Sequence, residues 1–284
     1  MTLAENDESS KVIDVLENVL VAPENPAAVL EAMADPGVRI VSLAVNEKGY
    51  CHTPATGVLT VDHPDIAHDL QQEIPRSAPG FLVRALARRR AAGVPPFTVL
   101  SCDNLPENGA LVRQIVLDFA HLIDPTLAQW IGENGRFPAT MVDRITPATT
   151  SADIARVTAV TGLYDSAPVL HEPFRQWVIE DDFVRDIRPD FNAVGVEMEK
   201  DVSRFEQMKL RMLNGSHSAL AYLGYLAGHE TISDTVADPA FAAYVRQLWA
   251  EIMPVVCAPQ GFDLQVYAKA LMERYANPKI RHHT

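Results

Sequence analysis

The sequence predicts an α/β protein in which a parallel sheet covered by helices precedes an all-helical part. Short runs rich in Val, Ile and Leu alternate with amphipathic helix patterns at least three times before residue 200. After about residue 200 the strand-like runs stop and long helical patterns follow. Apolar residues make up 48% of the chain, which is sufficient for a packed core. We therefore predict two domains, 1–200 and 201–284.

The predicted sheet domain is built from four strands and the helices between them. A Pro near the start and a Gly past the end mark the first helix, and Gly93 with two prolines stops the second. The strand runs are short and apolar on both faces, as in a buried parallel sheet. The strands are predicted over 39–45, 97–101, 137–147 and 172–183, and the helices over 25–37, 78–96 and 109–123.

The second domain is predicted to be helical throughout. Residues 201–232 form one long stretch with few β-branched residues, and two further helical patterns follow over 238–256 and 263–277. No internal repeat or low-complexity tract interrupts them.

Composition limits the partners. With 37 acidic against 24 basic residues, the net charge is −13, which argues against a nucleic-acid binder. Three separated cysteines indicate a reducing cytoplasm rather than a disulfide framework. The acidic, polar first residues do not form a signal peptide, and no apolar run is long enough to span a membrane.

Polar clusters follow three of the predicted strands, at 46–50, 101–109 and 141–147. Ligands of parallel sheets bind beyond the carboxyl ends of the strands, so these clusters are candidate binding residues. The alternative is that their Asn and Asp residues only form turns. The sequence contains no G-x-G-x-x-G dinucleotide motif, and "GENG" at 132–135 has neither its spacing nor a preceding strand.

The stretch "MKLRMLNGSHSALAYLG" (208–224) carries the most informative polar residues. At about 100° per residue, with Lys209 at zero, Glu206 falls near 60°, His217 near 80° and Asn214 near 140°. A buried lysine loses proton affinity and can act as a general base. An amide can donate to a developing alkoxide, a histidine can orient a hydroxyl, and Glu206 can relay a proton.

The alternatives at this helix are structural. Lys209 could extend along an apolar surface with its amine in water, and His217 could be an ordinary core histidine. Glu206 and Lys209 could also form a simple helix-surface pair.

A metal site is the weaker chemical hypothesis. The sequence has no H-E-x-x-H motif and no paired cysteines, so we predict no metal. A metal hydrolase using His171, Glu172 and Asp181 is the remaining alternative of this kind. His282 and His283 are adjacent and near the last residue, and we expect them to be solvated.

Taken together, five ordered motifs resemble the long-chain mannitol dehydrogenase family, which includes mannitol 2-dehydrogenase and fructuronate reductase. The resemblance runs from about residue 12 to the last residue. The motifs are "EKGY", "FTVLSCDNLPENG", "FPATMVDRITP", "EPFRQWVIEDDFV" and "MKLRMLNGSHSALAYLGYLAG".

The resemblance implies a partial Rossmann-like doubly wound sheet followed by a helical domain similar to that of 6-phosphogluconate dehydrogenase. It also implies metal-free hydride transfer between NAD and a secondary alcohol of a polyol or sugar acid. By this resemblance Lys209 is the general acid/base, Asn104 and Asn214 form an oxyanion hole, His217 holds a substrate hydroxyl, and Glu206 occupies the proton-relay position.

The cofactor residues implied by the resemblance are Asn46, Glu47, Asn104 and Asp143. Two departures stand out. Family members begin with a glycine-rich loop and continue into further helices, so the chain is expected to be a central fragment. Ala44 and Asn46 also stand where the family usually carries threonines.

Within the family, residues 208–236 and "NPKIRHHT" favour fructuronate reductase, which interconverts D-fructuronate and D-mannonate, and Arg281 is a candidate for the substrate carboxylate. Mannitol 2-dehydrogenase or another polyol dehydrogenase is the alternative. An inactive truncated remnant is the alternative of another class. The expected partner is a small sugar acid or polyol, and the expected state is a monomer or weak oligomer.

Overall fold

The computed structural model describes residues 1–5 and 7–284. Its strands are β1 (Thr2–Leu3), β2 (Glu8–Ser9), β3 (Ile40–Leu43), β4 (Thr98–Ser101), β5 (Thr140–Asp143), β6 (Gln176–Glu180) and β7 (Glu197–Glu199). Its helices are α1 (Pro26–Ala34), α2 (Asn46–Gly49), α3 (Pro64–Gln71), α4 (Ala78–Ala91), α5 (Asn108–Ile123), α6 (Pro125–Asn134), α7 (Ser151–Thr161), α8 (Ser203–Met208), α9 (Gly215–Ala227), α10 (Ile232–Ala237), α11 (Pro239–Ile252) and α12 (Leu264–Tyr275).

The chain forms two compact units. The sheet unit comprises Val15–Val142 and Trp177–Val202, and the helical unit comprises Met1–Asp14, Asp143–Gln176 and Ser203–Thr284.

The sheet unit contains the predicted parallel strands. β3 pairs with β4 in parallel from Ile40 opposite Thr98 to Leu43 opposite Ser101, and β6 pairs with β7 in parallel. All four residues of β4 are buried, which explains why its sequence is apolar rather than alternating. Its core includes the fully buried side chains of Leu30, Phe97, Ile115 and Phe119. The predicted α/β class is confirmed for this unit.

The predicted elements of the sheet unit are present but shorter. The helix predicted over 78–96 ends at Ala91, because Gly93 turns the chain with a φ of +68°. Ser77 caps its first turn, because the Ser77 hydroxyl accepts from the Gly80 N–H. The elements of this unit that were not predicted include α2, α3, α6, which Asp124 caps, and β7.

The helical unit departs from prediction at its first helix. The helical stretch predicted over 201–232 is confirmed from Ser203 to Ala227, but it is not a regular α-helix, because a π-helical turn (Lys209–Asn214) lies between α8 and α9. Gly228, with a φ of +85°, ends α9, and a capping box between Thr231 and Asp234 starts α10. The other two predicted helices are confirmed as α11 and α12. Among the described residues, no helix has both the length and the apolar character needed to cross a membrane.

Candidate active site

In the sheet unit, the Asp103 carboxylate, which follows β4, forms hydrogen bonds with residues that follow β3. Asp103 accepts hydrogen bonds from the backbone N–H groups of Val45 and Asn46, both at 3.0 Å, and from the Tyr50 hydroxyl at 2.6 Å. Tyr50 also lies 2.7 Å from the Ser101 hydroxyl. Burial is the main cause that raises the pKa of Tyr50, so the phenol keeps its proton and donates to Asp103.

This arrangement fixes the turn that carries two of the predicted cofactor residues. Asn46 starts α2 with a φ of +57°, a conformation that asparagine tolerates better than most residues. Asn46, Glu47 and Asn104 are all exposed at the carboxyl ends of β3 and β4. Their exposure leaves their side chains accessible to a ligand, and their roles remain predictions.

In the helical unit, Lys209 and Asn214 begin and end the π-helical turn. The Gly215 N–H bonds to the carbonyl of Leu210, five residues back instead of four. In a regular helix, residues five apart point about 140° away from each other. A turn closed over five residues reduces this angle, so the π turn aligns Asn214 with Lys209 more closely than helical periodicity predicts.

The carbonyl groups of this turn find side-chain donors elsewhere in the unit. The Met212 carbonyl accepts from the indole N–H of Trp249 at 3.0 Å, and the Leu213 carbonyl accepts from the Tyr275 hydroxyl at 2.8 Å. The Ser216 hydroxyl donates to the Met212 carbonyl and lies 2.9 Å from the Tyr275 hydroxyl. These bonds satisfy groups that would otherwise be buried without partners, so the turn is held by tertiary contacts.

Lys209 is buried, with 8% of its surface exposed. This excludes an ordinary surface pair between Glu206 and Lys209. Burial lowers the pKa of Lys209; the nearby carboxylates of Asp143 and Glu206 oppose that change, and the Arg274 cation adds to it. The amine can therefore lose its proton more easily than an exposed lysine, as a general base requires.

Asp143, the last residue of β5, is buried in a cluster of three charges. Both of its carboxylate oxygens accept from Arg274, each at 2.8 Å. Arg274 also donates to the two oxygens of Glu172 at 2.7 and 2.9 Å. Its guanidinium lies 4.1 Å from the centroid of the Phe174 ring. The predicted cofactor role of Asp143 remains a prediction.

His217, on α9, is half-buried and paired with another histidine. Its Nε2 lies 3.0 Å from Nδ1 of His282, so one nitrogen donates and the other accepts. Burial lowers the pKa of His217 to about 4, with a smaller contribution from His282, and the ring is therefore neutral at pH 7. The expectation that His282 is solvated is wrong, because the ring is half-buried against His217; His283 is exposed.

Arg281 and the three residues of the metal hypothesis all have other partners. Arg281 pairs with Glu230 at 2.7 Å on the surface. The His171 ring contacts the Glu172 carbonyl, Glu172 binds Arg274, and Asp181 pairs with Arg188. Within residues 1–5 and 7–284, no three His, Cys, Asp or Glu side chains are grouped to hold a metal ion.

Arg274, Tyr275 and Trp249 were not predicted as residues of the site, and His282 was expected in solvent. Arg274 lies in the last turn of a predicted helix, where a basic residue is common for electrostatic reasons alone. Tyr275 and Trp249 sit at core positions of amphipathic patterns. No spacing in the sequence could have revealed contacts across 37 to 131 residues.

The chain belongs to the mannitol dehydrogenase family. The family's Rossmann domain matches residues 1–193, and its C-terminal domain matches residues 201–284. This confirms the predicted family and the predicted fold, a Rossmann-like domain joined to a helical one.

Three similar proteins illustrate the match. D-mannonate oxidoreductase of Escherichia coli (strain K12) is 52% identical over 90% of this chain and 53% of its own length. Mannitol 2-dehydrogenase of Aspergillus terreus is 45% identical over 95% of the chain and 55% of its own. The structure of Pseudomonas fluorescens mannitol 2-dehydrogenase in a ternary complex with NAD and D-mannitol matches with a TM-score of 0.85 and 43% identity, covering 93% and 54% of the two chains. The chain thus spans about half the length of these relatives.

Proposed function

We propose that the protein containing this chain is an NAD-dependent oxidoreductase that interconverts D-fructuronate and D-mannonate. One observation carries the proposal: a lysine buried to 8% exposure opens a π turn that ends in an asparagine. The 52% identity to a D-mannonate oxidoreductase supports the sugar acid over the polyol. Mannitol is the second candidate substrate, which the 45% identity to a mannitol 2-dehydrogenase favours.

In this function, each residue has a chemical task. Lys209, with its lowered pKa, takes the hydroxyl proton during oxidation and returns it during reduction. Asn214 and Asn104 donate N–H groups to the oxygen on which negative charge develops. The neutral His217 ring holds a second substrate hydroxyl, and Glu206 relays the proton to solvent.

A further group in the helical unit suits a substrate rich in hydroxyls. The Tyr267 hydroxyl is buried and has no hydrogen-bond partner within the described residues. Burial and the nearby Asp143 raise its pKa, so it keeps its proton and can donate. An unsatisfied buried hydroxyl is costly, and a bound hydroxyl-bearing ligand would remove that cost.

The residues at the carboxyl ends of β3 and β4 fit a dinucleotide. Their exposed side chains occupy the edge at which parallel sheets bind such cofactors, and Asp103 holds their backbone in place. NAD would be held there by Asn46, Glu47 and Asn104 and would accept or deliver the hydride. The resemblance to the family adds Asp143, at the end of β5, as a cofactor residue. We further propose that residues 1–200 serve the cofactor and residues 201–284 the substrate, in a cytoplasmic monomer or weak oligomer.

The test is an assay of the complete gene product with NADH against fructuronate and fructose. We expect a higher kcat/KM for fructuronate. A protein that reduces neither substrate, although folded, would contradict the proposal and favour an inactive remnant.

Lys209→Ala should lower kcat by about 10²- to 10⁴-fold while NADH binding, measured by fluorescence, is retained. Lys269→Ala, on α12, is the matched control and should retain activity. A fully active Lys209→Ala variant would show that another group moves the proton.

A further inference from the structure

Arg274 is a buried arginine that binds two carboxylates, although one carboxylate would be enough to neutralise its charge. The residue is 9% exposed and makes four hydrogen bonds of 2.7 to 2.9 Å to Asp143 and Glu172. Burial disfavours the charged form of Arg274, but hydrogen bonds and charge attraction from Asp143 and Glu172 outweigh it and raise the pKa of Arg274. One cation shared by two carboxylates leaves a net charge of −1 in the cluster.

Stability alone is a weak reason for such a cluster. Burying charges costs several kcal/mol per ion in general, and well-packed apolar side chains can replace a buried ion pair at little or no cost. The two carboxylates also come from different segments, the end of β5 and the segment that follows α7. By binding both carboxylates, Arg274 therefore fixes the position of Asp143 relative to Glu172. The sequence of β5 alone would not determine that position.

The same end of α12 also contacts the turn that carries Lys209. Tyr275, the next residue, donates to the Leu213 carbonyl of the π turn at 2.8 Å. Adjacent residues of α12 thus hold the carboxylate of Asp143 and the backbone between Lys209 and Asn214.

We propose that Arg274 is a positioning residue for the proposed reaction. It holds the Asp143 carboxylate in place, and its positive charge partly cancels the effect of that carboxylate on Lys209. The inference rests on the proposed function, because only a lysine that exchanges protons needs this field.

Within residues 1–5 and 7–284, the charged groups that act on the pKa of Lys209 are Asp143, Arg274 and Glu206, and Arg274 is the cation among them. Glu206 is a carboxylate on α8, and His217 on α9 is neutral at pH 7 because burial lowers its pKa to about 4. On α12, burial raises the pKa of Tyr267 and of Tyr275, so both phenols are neutral. Arg274 is thus the cation that opposes Asp143 and Glu206 in setting the pKa of Lys209.

The test follows the titration of Lys209 directly. In protein labelled with ¹⁵N-lysine, NMR gives the side-chain nitrogen shift against pH, and Lys209→Arg identifies the signal by its loss. Arg274→Gln should move the midpoint of Lys209 upward by about one pH unit, because a cation is removed and the carboxylates remain. Asp143→Asn should move it downward, because a carboxylate is removed.

Two further variants separate charge from packing. Arg274→Lys keeps the cation but loses the forked geometry, so the midpoint should stay near that of the wild type. Arg156→Gln removes an exposed arginine paired with Glu8 in the same unit and should leave the midpoint unchanged.

An unchanged midpoint in a folded Arg274→Gln variant would overturn the inference. If that variant does not fold, an unchanged midpoint in Asp143→Asn, or a rise in a folded Arg274→Lys variant, overturns it equally. The titration needs no turnover. The expected titration in an inactive protein would therefore contradict the proposed function and leave the assigned electrostatic role of Arg274 standing.

Discussion

The two units hold their candidate site residues by different chemistry. In the sheet unit a single carboxylate, Asp103, binds the turn that carries Asn46. In the helical unit the donors that hold the turn between Lys209 and Asn214 are neutral: an indole and two hydroxyls, from Trp249, Tyr275 and Ser216.

The difference follows from the burial of the residues that each turn carries. Asn46 and Glu47 are exposed, so a nearby carboxylate is screened by water and costs little. Lys209 is buried, where an additional anion would stabilise its ammonium form and oppose proton release. Neutral donors hold the backbone without adding charge, and the charges that act on Lys209 then come from Asp143, Glu206 and Arg274.

The largest effect on stability is expected in the sheet unit. Asp103→Ala removes the acceptor of two backbone N–H groups and the Tyr50 hydroxyl, and should lower the free energy of unfolding by about 3 kcal/mol. Urea unfolding measures the change. Asp62→Ala, at an exposed position, should change it by less than about 0.5 kcal/mol. A loss below about 1 kcal/mol for Asp103→Ala would show that the carboxylate does not hold the turn.

A smaller loss is expected in the helical unit, because each donor there is neutral. Tyr275→Phe removes the hydroxyl that donates to the Leu213 carbonyl and contacts Ser216, and should cost about 1.5 kcal/mol by the same method. Tyr222→Phe, at an exposed tyrosine of α9, is the matched control and should be neutral. If Tyr275→Phe is as neutral as its control, the π turn does not depend on these bonds.

His217, in the helical unit, should make the stability of the folded chain depend on pH, because burial lowers the pKa of its ring. The folded chain holds this histidine with its pKa lowered to about 4, against 6.5 for an ordinary histidine. Between these values the unfolded chain binds the proton more readily, so the stabilisation is complete above pH 6.5 and is lost as the pH falls to about 4. Urea unfolding at pH 7 and pH 5 should therefore show a smaller acid-induced loss in His217→Gln than in the wild type. His121→Gln, at an exposed histidine, should retain the full loss.

The smallest expected effect is a difference in alkylation rate between the cysteines of the two units. Burial raises the pKa values of Cys51 and Cys102, both in the sheet unit, to about 11, whereas Cys257 in the helical unit is exposed. Alkylation at pH 7.5, read by peptide mass spectrometry, should modify Cys257 about tenfold faster than the other two. Equal rates at all three would mean that the sheet unit opens on the timescale of labelling.

Part of the fold was predictable: β3, β4 and α5 follow from local apolar patterns and from Gly and Pro positions, whereas α3 and α6 were not predicted. The geometry at Lys209 was not. Periodic patterns assume about 3.6 residues per turn, whereas the π turn has more residues per turn between Lys209 and Asn214, the two residues whose relative orientation was predicted. The turn is bound by Trp249 and Tyr275, which are 37 and 62 residues away in the sequence from the carbonyls to which they donate. The charge cluster at Arg274 is likewise a tertiary feature.

The π turn also bears on protein design. To place an amine and an amide on the same face of a straight helix, a designer would put them four positions apart, because a spacing of five brings two side chains to one face only in a locally widened turn such as Lys209–Asn214. Removing one residue from the widened turn is therefore expected to destabilise the helix less than adding one, since removal restores the regular winding, and addition would rotate Asn214 further around the helix from Lys209.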